Sequence, residues 1–321
     1  MRAVCVVGLG LIGGSLLRAA AASGRRVWGT TSSAADAAAA AEDGFATADL
    51  DAALRQAADE NALIVLAVPL PAVEPVVRKI AELAPGCPLT DVTSVKGPVA
   101  ETVAQHAPNP FVGGHPMAGR SASGWSAGDA ELFRGAAWVV TADDGTDPAL
   151  WREVAELALD CGAHVVPTSA AAHDDAVARI SHLPHLLAAV LAACGADGGP
   201  LAMALAAGSF TDGTRVAGTR PELVLAMCEG NRAALLDAVD DALGRLGAAR
   251  GALASTGGLR ATVTAGHAGR AGLDAHRAHP TCPVTVDLAD DEALADLRDL
   301  GGAGGRITRV DAGAAYGEMP D

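Results

Sequence analysis

At 321 residues the chain is long enough for two domains, each with its own core. Half of its residues are apolar (50%) and 19% are charged, a balance that excludes wholesale disorder. Lys and Arg number 23 against 38 Asp and Glu, and the net charge of −15 excludes nucleic acid and an anionic membrane surface as partners, since both demand a basic patch. The cysteines Cys5, Cys87, Cys161, Cys194, Cys228 and Cys282 are scattered, with no CxxC pair. They read as buried small apolar residues in a reducing compartment. The sequence starts directly on a strand-like run, and apolar stretches such as 186–194 are too short to span a bilayer. A soluble, cytoplasmic protein is expected, and an anionic substrate would need positive charge supplied locally.

Candidate strands at 3–7, 26–29, 62–68, 88–91, 111–113, 137–141 and 163–167 alternate with helical stretches beginning near Gly13, Ala34, Leu70, Lys96 and Pro148. This repetition predicts βαβ units and an α/β fold with a doubly wound, mostly parallel sheet covered on both faces. From about Ser169 the pattern turns helical, over 170–193, 201–207 and 221–249. In the last of these, Leu223, Met227, Leu235, Val239, Leu243 and Leu246 recur at helical spacing, an apolar stripe that must be buried. Residues 251–280 read as further helix and loop. The end carries a strand-like 284–288, a helical 290–300 and a strand-like 306–310, which suits either a small βαβ appendage or a tail packed on the body. The expected division is a dinucleotide-binding domain at 1–168, a helical domain at 169–250 and a C-terminal extension at 251–321.

The first strand leads into Gly8-Leu9-Gly10-Leu11-Ile12-Gly13, which is GxGxxG placed between a strand and a helix. Gly8 permits the tight turn, Gly10 lets backbone approach a pyrophosphate, and Gly13 lets helix and strand pack closely. The helix N-terminus then offers N–H groups to the phosphates. The second strand ends in Thr30, Thr31, Ser32 and Ser33, where an NAD-specific fold usually carries a carboxylate for the ribose hydroxyls. Nothing there repels a 2′-phosphate and no arginine follows to grip one, so the cofactor is NAD+ or NADP+. Its expected contacts are Gly8, Gly10, Leu11, Ile12, Gly13, Thr30, Thr31 and Ser32, with Val68 and Ser94 at the ends of later strands.

Three further blocks stand out: Asp91-Val92-Thr93-Ser94-Val95-Lys96, Gly113-Gly114-His115-Pro116-Met117-Ala118-Gly119 and Ser181-His182-Leu183-Pro184-His185. The histidines His182 and His185 share a helix face that Pro184 should kink or start afresh, and no third ligand stands near them at metal-binding spacing. With the later run Gly208-Ser209-Phe210-Thr211-Asp212-Gly213-Thr214-Arg215-Val216-Ala217, these blocks resemble the prephenate/arogenate dehydrogenase family. The likeness runs in order from Val4 to about Arg232. It is specific, because other Rossmann dehydrogenases lack the HPMAG and SHLPH blocks.

The resemblance implies a Rossmann domain followed by an all-helical domain that dimerises, with the active site in the cleft between them. It implies oxidative decarboxylation of prephenate, or alternatively arogenate, with hydride passing to NAD+ or NADP+ in tyrosine biosynthesis and no metal. His115 matches the family's catalytic histidine, which binds the ring 4-hydroxyl and takes its proton; imidazole has a pKa suited to that task. Ser94 matches a serine sharing that hydroxyl, although by its position alone it equally suits a helix N-cap. Arg215 matches the arginine that clamps the side-chain carboxylate, a planar fork suited to that partner; a surface ion pair with Asp212 is the alternative. His185 is expected to face the substrate and His182 to lie in a core or interface. Many relatives carry a glutamate after the HPMAG block that pairs with this arginine, whereas here Arg120 and Ser121 follow. Both are expected to contact substrate, and they favour the prephenate dianion.

Two competing readings differ in what they require. β-Hydroxyacid dehydrogenases use a lysine on the helical domain, but Lys79 and Lys96, both in the first half, are the only lysines. A redox sensor that binds NAD(P) without turnover would not need Ser94, His115 and Arg215 together.

Overall fold

The computed structural model describes residues 1–120 and 122–321. The chain divides into two compact units: Met1–His173 with Cys282–Met319, and Asp174–Thr281 with Pro320–Asp321.

In the first unit β1 (Val4–Val7), α1 (Leu11–Ala22), β2 (Val27–Thr30), α2 (Ala34–Glu42), α3 (Leu50–Glu60), β3 (Leu63–Leu66), α4 (Val73–Leu83), β4 (Leu89–Asp91), α5 (Gly97–His106) and β5 (Phe111–Val112) follow in order. The five strands form one parallel sheet, ordered β2-β1-β3-β4-β5, with Val4 opposite Val27 on one side and Leu63 on the other. Burial on both faces explains the nearly unbroken apolar strands. The helices give it one face each: on α4, Val73, Val76, Val77 and Ile80 are buried at helical spacing. The order reverses direction beside β1, so the carboxyl ends of β1 and β3 meet at a switch point, where such sheets bind ligands.

The predicted strands divide between two sheets. After β5 the chain crosses at Gly113 into β6 (Gly114–Pro116), which pairs antiparallel with β7 (Ala137–Thr141); α6 (Pro148–Asp160) then leads to β8 (His164–Thr168), parallel to β7. Asp147 caps α6 and Pro148 occupies its first turn. The C-terminal residues complete this second sheet with β9 (Thr281–Asp287), β10 (Arg306–Val310) and β11 (Ala314–Pro320), in the order β6-β7-β8-β10-β11-β9. A helix between β9 and β10, Ala293–Gly302, buries Leu297 and Leu300 in the same core cluster as Leu16, Trp138 and Trp151. Residues 282–319 are therefore part of the first unit's core. The strand β11 was not expected: its sequence, rich in Ala and Gly, carries little strand signal, and pairing with β10 decides it.

The second unit is helical. The helix α7 (Ala170–Val177) starts in the first unit, and a single π turn, Ala178–His182, joins it to α8 (Leu183–Asp197), which carries Pro184 in its first turn. Then come α9 (Gly199–Ala204), α10 (Gly208–Thr214), α11 (Pro221–Gly230), α12 (Arg232–Ser255) and α13 (Arg260–Ala278); the helix before β10 is α14. Three expectations need correction. The helix expected over 221–249 breaks at the buried Asn231, whose side-chain amide donates to Asp174 O at 2.6 Å. Its apolar stripe is not buried within the chain: Leu235 is, but Leu223, Leu243 and Leu246 are exposed. The run Ala170–Asp197, 28 residues with a mean hydropathy of 1.5 over its most apolar 18, is by length and composition long enough to cross a membrane, because the π turn joins two helices end to end; 22% of that window is buried. The cysteines also differ from expectation: all six are free, but only Cys5, Cys87 and Cys161 are buried and Cys194 is exposed.

Candidate active site

The chain leaves β1 at Gly8 with φ 108°, a conformation that favours glycine, and a Cβ there would stand 2.4 Å from Ala67 O. The Gly8 N–H donates to Thr30 O at 2.8 Å, so the end of β2 supports the turn. A Cβ on Gly13 would lie 1.8 Å from Gly8 O, which is why α1 can pack so closely only with glycine there. Gly10, the N-cap of α1, faces open space, and no side chain caps the helix. The first-turn N–H groups, those of Leu11 and Ile12 among them, have no acceptor within the helix. This cradle fits a dinucleotide pyrophosphate. Val68 follows β3 and lies 3.2 Å from where the Gly8 Cβ would be. Thr30 is buried, Thr31 Oγ1 accepts the Ser33 N–H at 3.3 Å, Ser33 caps α2, and Ser32 is exposed.

At the carboxyl end of β4, a buried ion pair organises the second site. Asp91 ends β4 and Lys96 precedes α5; their side chains are 0% and 1% exposed, and they bond to each other. Lys96 Nζ also donates to Gly114 O at 2.6 Å, and the Gly114 N–H donates to Asp91 Oδ1 at 3.0 Å. The Thr93 N–H donates to Asp91 Oδ2 at 3.0 Å. A buried pair is tolerable because nearly every charge-bearing atom finds such a partner. The consequence is a clamp: the loop carrying Ser94 is held against the residue before His115. The helix α5 starts at Gly97 with Lys96 as its N-cap and no capping side chain, so Ser94 is not the cap.

His115 stands on β6, half-buried, opposite Val139 of β7. Its Nδ1 lies 2.8 Å from Nε2 of His173, a residue 2% exposed in the first turn of α7. Downstream of His115, Arg120 pairs with Asp129 at 2.7 Å, and Ser121 lies outside the described residues. Glu131's backbone N–H and then Arg120 hold the Asp129 carboxyl below the usual range. Trp125 pins this loop to the helices of the nucleotide site. Its N–H donates to Asp36 Oδ1 and its indole to Asp43 Oδ2, both at 2.8 Å, and Arg18 stacks 3.6 Å over its ring.

In the helical unit His182 is fully buried, 3.2 Å from Asn231 Nδ2. His185 Nδ1 lies 2.8 Å from Ser181 O. A carbonyl only accepts, so Nδ1 carries the proton and the neutral ring's lone pair sits on Nε2. Arg215 opens a short 3₁₀ turn after α10 and is exposed; among the described residues it makes no ion pair with Asp212.

A family model described as the nucleotide-binding domain of prephenate dehydrogenase matches residues 15–167, and one described as its dimerization domain matches 169–257. The chain belongs to the prephenate dehydrogenase family. A cyclohexadienyl dehydrogenase of Zymomonas mobilis is 33% identical over 265 residues, covering 79% of this chain and 89% of that one. A prephenate dehydrogenase of Lactococcus lactis is 32% identical over 225 residues, which are 68% of this chain but only 61% of that relative's length. A solved structure from Corynebacterium glutamicum, whose own assignment as a prephenate dehydrogenase is provisional, superposes with a TM-score of 0.88 at 42% identity, covering 95% of this chain and 98% of that one. The arogenate dehydrogenase of Synechocystis gives 0.72 at 31% identity, covering 84% and 99%. The dimerization-domain match takes in the whole apolar run Ala170–Asp197.

Asp91 and Lys96 stand in a family block, but nothing in the sequence alone gives them a role, and His173 and Trp125 lie in none of the blocks. Lys96 had a usable signal, since it is one of two lysines and sits among apolar residues. A lone histidine in the first turn of a helical stretch gives none.

Proposed function

We propose that this protein is a cytoplasmic, NAD(P)+-dependent prephenate dehydrogenase that converts prephenate to 4-hydroxyphenylpyruvate on the route to tyrosine. The observation that carries this reading is the Asp91–Lys96 clamp, which holds the Ser94 loop against the His115 strand in a chain matched by both family models.

A dinucleotide whose pyrophosphate is held by the Gly8–Gly13 turn would supply a nicotinamide as the hydride acceptor. Ser94 and His115 hold the ring 4-hydroxyl, and His115 takes its proton as hydride leaves the same carbon. The ring carboxylate departs as CO₂, and the electron pair of its broken C–C bond completes the aromatic ring. Arg215 grips the side-chain carboxylate, with His185 and the segment Arg120–Ser121 as further contacts. Prephenate is favoured over arogenate because Ser121 stands in sequence where many relatives carry a glutamate that would suit an ammonium. The functional division is 1–168 for the dinucleotide and 169–250 for substrate and dimer formation, and the working form is a homodimer that covers the exposed leucines. Six free thiols suit the reducing cytoplasm.

The test is product analysis with prephenate and either cofactor. Equal amounts of reduced cofactor, CO₂ and 4-hydroxyphenylpyruvate are expected; no turnover with either cofactor refutes the reading. Arogenate preferred by more than about tenfold in kcat/KM, roughly 1.4 kcal/mol, would overturn the substrate choice.

A further inference from the structure

We propose that His173 is a positioning residue for His115: its Nε2 accepts the Nδ1–H of His115 and so fixes the tautomer whose basic lone pair lies on Nε2. The inference rests on the reading of His115 as the base. Two ring nitrogens 2.8 Å apart share one proton, so one donates and the other accepts. If His173 were the donor, His115 would carry its own proton on Nε2 and could not take one there from a substrate hydroxyl. With His115 as donor, Nε2 is basic and Nδ1 is anchored. On taking the substrate proton His115 becomes imidazolium, and the bond to His173 becomes charge-assisted. That proton returns from His115 to the phenolate oxygen once CO₂ has left, giving the phenol, and His173 need not change its protonation.

The fold is built to hold His173 still. β8 runs parallel to β7, with Thr168 opposite Thr141, and delivers the chain into α7 at Ser169. The Ala170 N–H donates to Asp143 Oδ1 at 2.9 Å and the Ala172 N–H to Ser169 Oγ at 3.1 Å, which fixes the first turn. On the other side, His115 is paired into the same sheet through β6 and clamped at Gly114. The two rings meet edge to face, 77° apart with centroids at 5.1 Å. A ring held on both sides in this way has one nitrogen committed to its neighbour, the arrangement by which an orienting partner selects a histidine tautomer.

The test reads the tautomer directly. Protein labelled with ¹⁵N-histidine is examined by NMR at neutral pH without cofactor or substrate, with the His115 signals identified by their loss in His115→Asn. Protonation at Nδ1 is expected in the parent, with His173→Leu moving His115 towards the Nε2–H form. A parent signal showing Nε2–H, or a tautomer unchanged in His173→Leu, overturns the proposal. In turnover, His173→Leu should lower kcat by roughly tenfold to a hundredfold, less than removal of the base itself, with KM for prephenate within about threefold. His173→Gln, whose amide oxygen can accept from Nδ1–H, should recover most of the loss. Equal loss in both variants, or a change in KM alone, contradicts it. Should His173→Leu fail to fold, the parent spectrum and His173→Gln decide. Absence of parent activity on prephenate would sink the functional reading without touching the tautomer assignment, so the two failures are distinguishable.

Discussion

In the unit that carries the glycine turn, Leu16, Leu63, Ile64 and Trp151 are fully buried, whereas in the helical unit Leu201, Leu205 and Leu246 are 71%, 73% and 66% exposed. The first unit closes a core of its own, strand by strand. The second leaves large apolar side chains exposed among the described residues, as expected of half an interface. Two ion pairs, one from each unit, differ in the same way. Asp91 and Lys96 face each other out of water, while Arg179 and Asp241 pair at 2.8 Å in the open. One unit closes its own core and carries the proposed base; the other is where the proposed dimer would form.

The largest expected effect follows from the buried pair. Lys96→Met leaves the Asp91 charge without its cation and should cost about 3–5 kcal/mol, the usual loss on breaking a buried pair from one side. Arg179→Met removes an exposed pair and should barely move the denaturation midpoint. Equal destabilisation by the two, measured with urea, would erase the contrast.

Next is assembly. The parent should sediment as a dimer at micromolar concentration, and Leu243→Asp with Leu246→Asp should shift it to monomer while dinucleotide binding persists. A monomeric parent would mean that the exposed leucines serve another purpose.

The smallest effect concerns pH. Burial, and then Arg306, push the His164 pKa below its ordinary 6.5. The unfolded chain therefore binds that proton more readily than the folded one, and stability falls as pH drops through and below 6.5. His164→Gln should flatten part of the fall in melting temperature between about pH 7 and 5; an unchanged slope would show that this group does not contribute.

The first unit was largely legible because its signals are local. A strand, a glycine turn and a helix follow one another within residues 4–22, and apolar periodicity marks the rest. What escaped is long-range. β11 exists because β10 pairs with it, and the break at Asn231 depends on a hydrogen bond to Asp174, 57 residues away. The helical stripe was readable as apolar, but sequence periodicity does not say whether the covering surface belongs to the same chain. At the site, His115 and Ser94 carried the family's signature. The partner His173 lies 58 residues from His115, and only the sheet brings them together.

The most direct measurement is turnover by His115→Asn at saturating prephenate and cofactor. The expected kcat is lower by roughly 10²–10⁴-fold, the ordinary worth of a general base, with a smaller loss of substrate affinity. Turnover close to that of the parent would remove His115 from the mechanism and contradict the account.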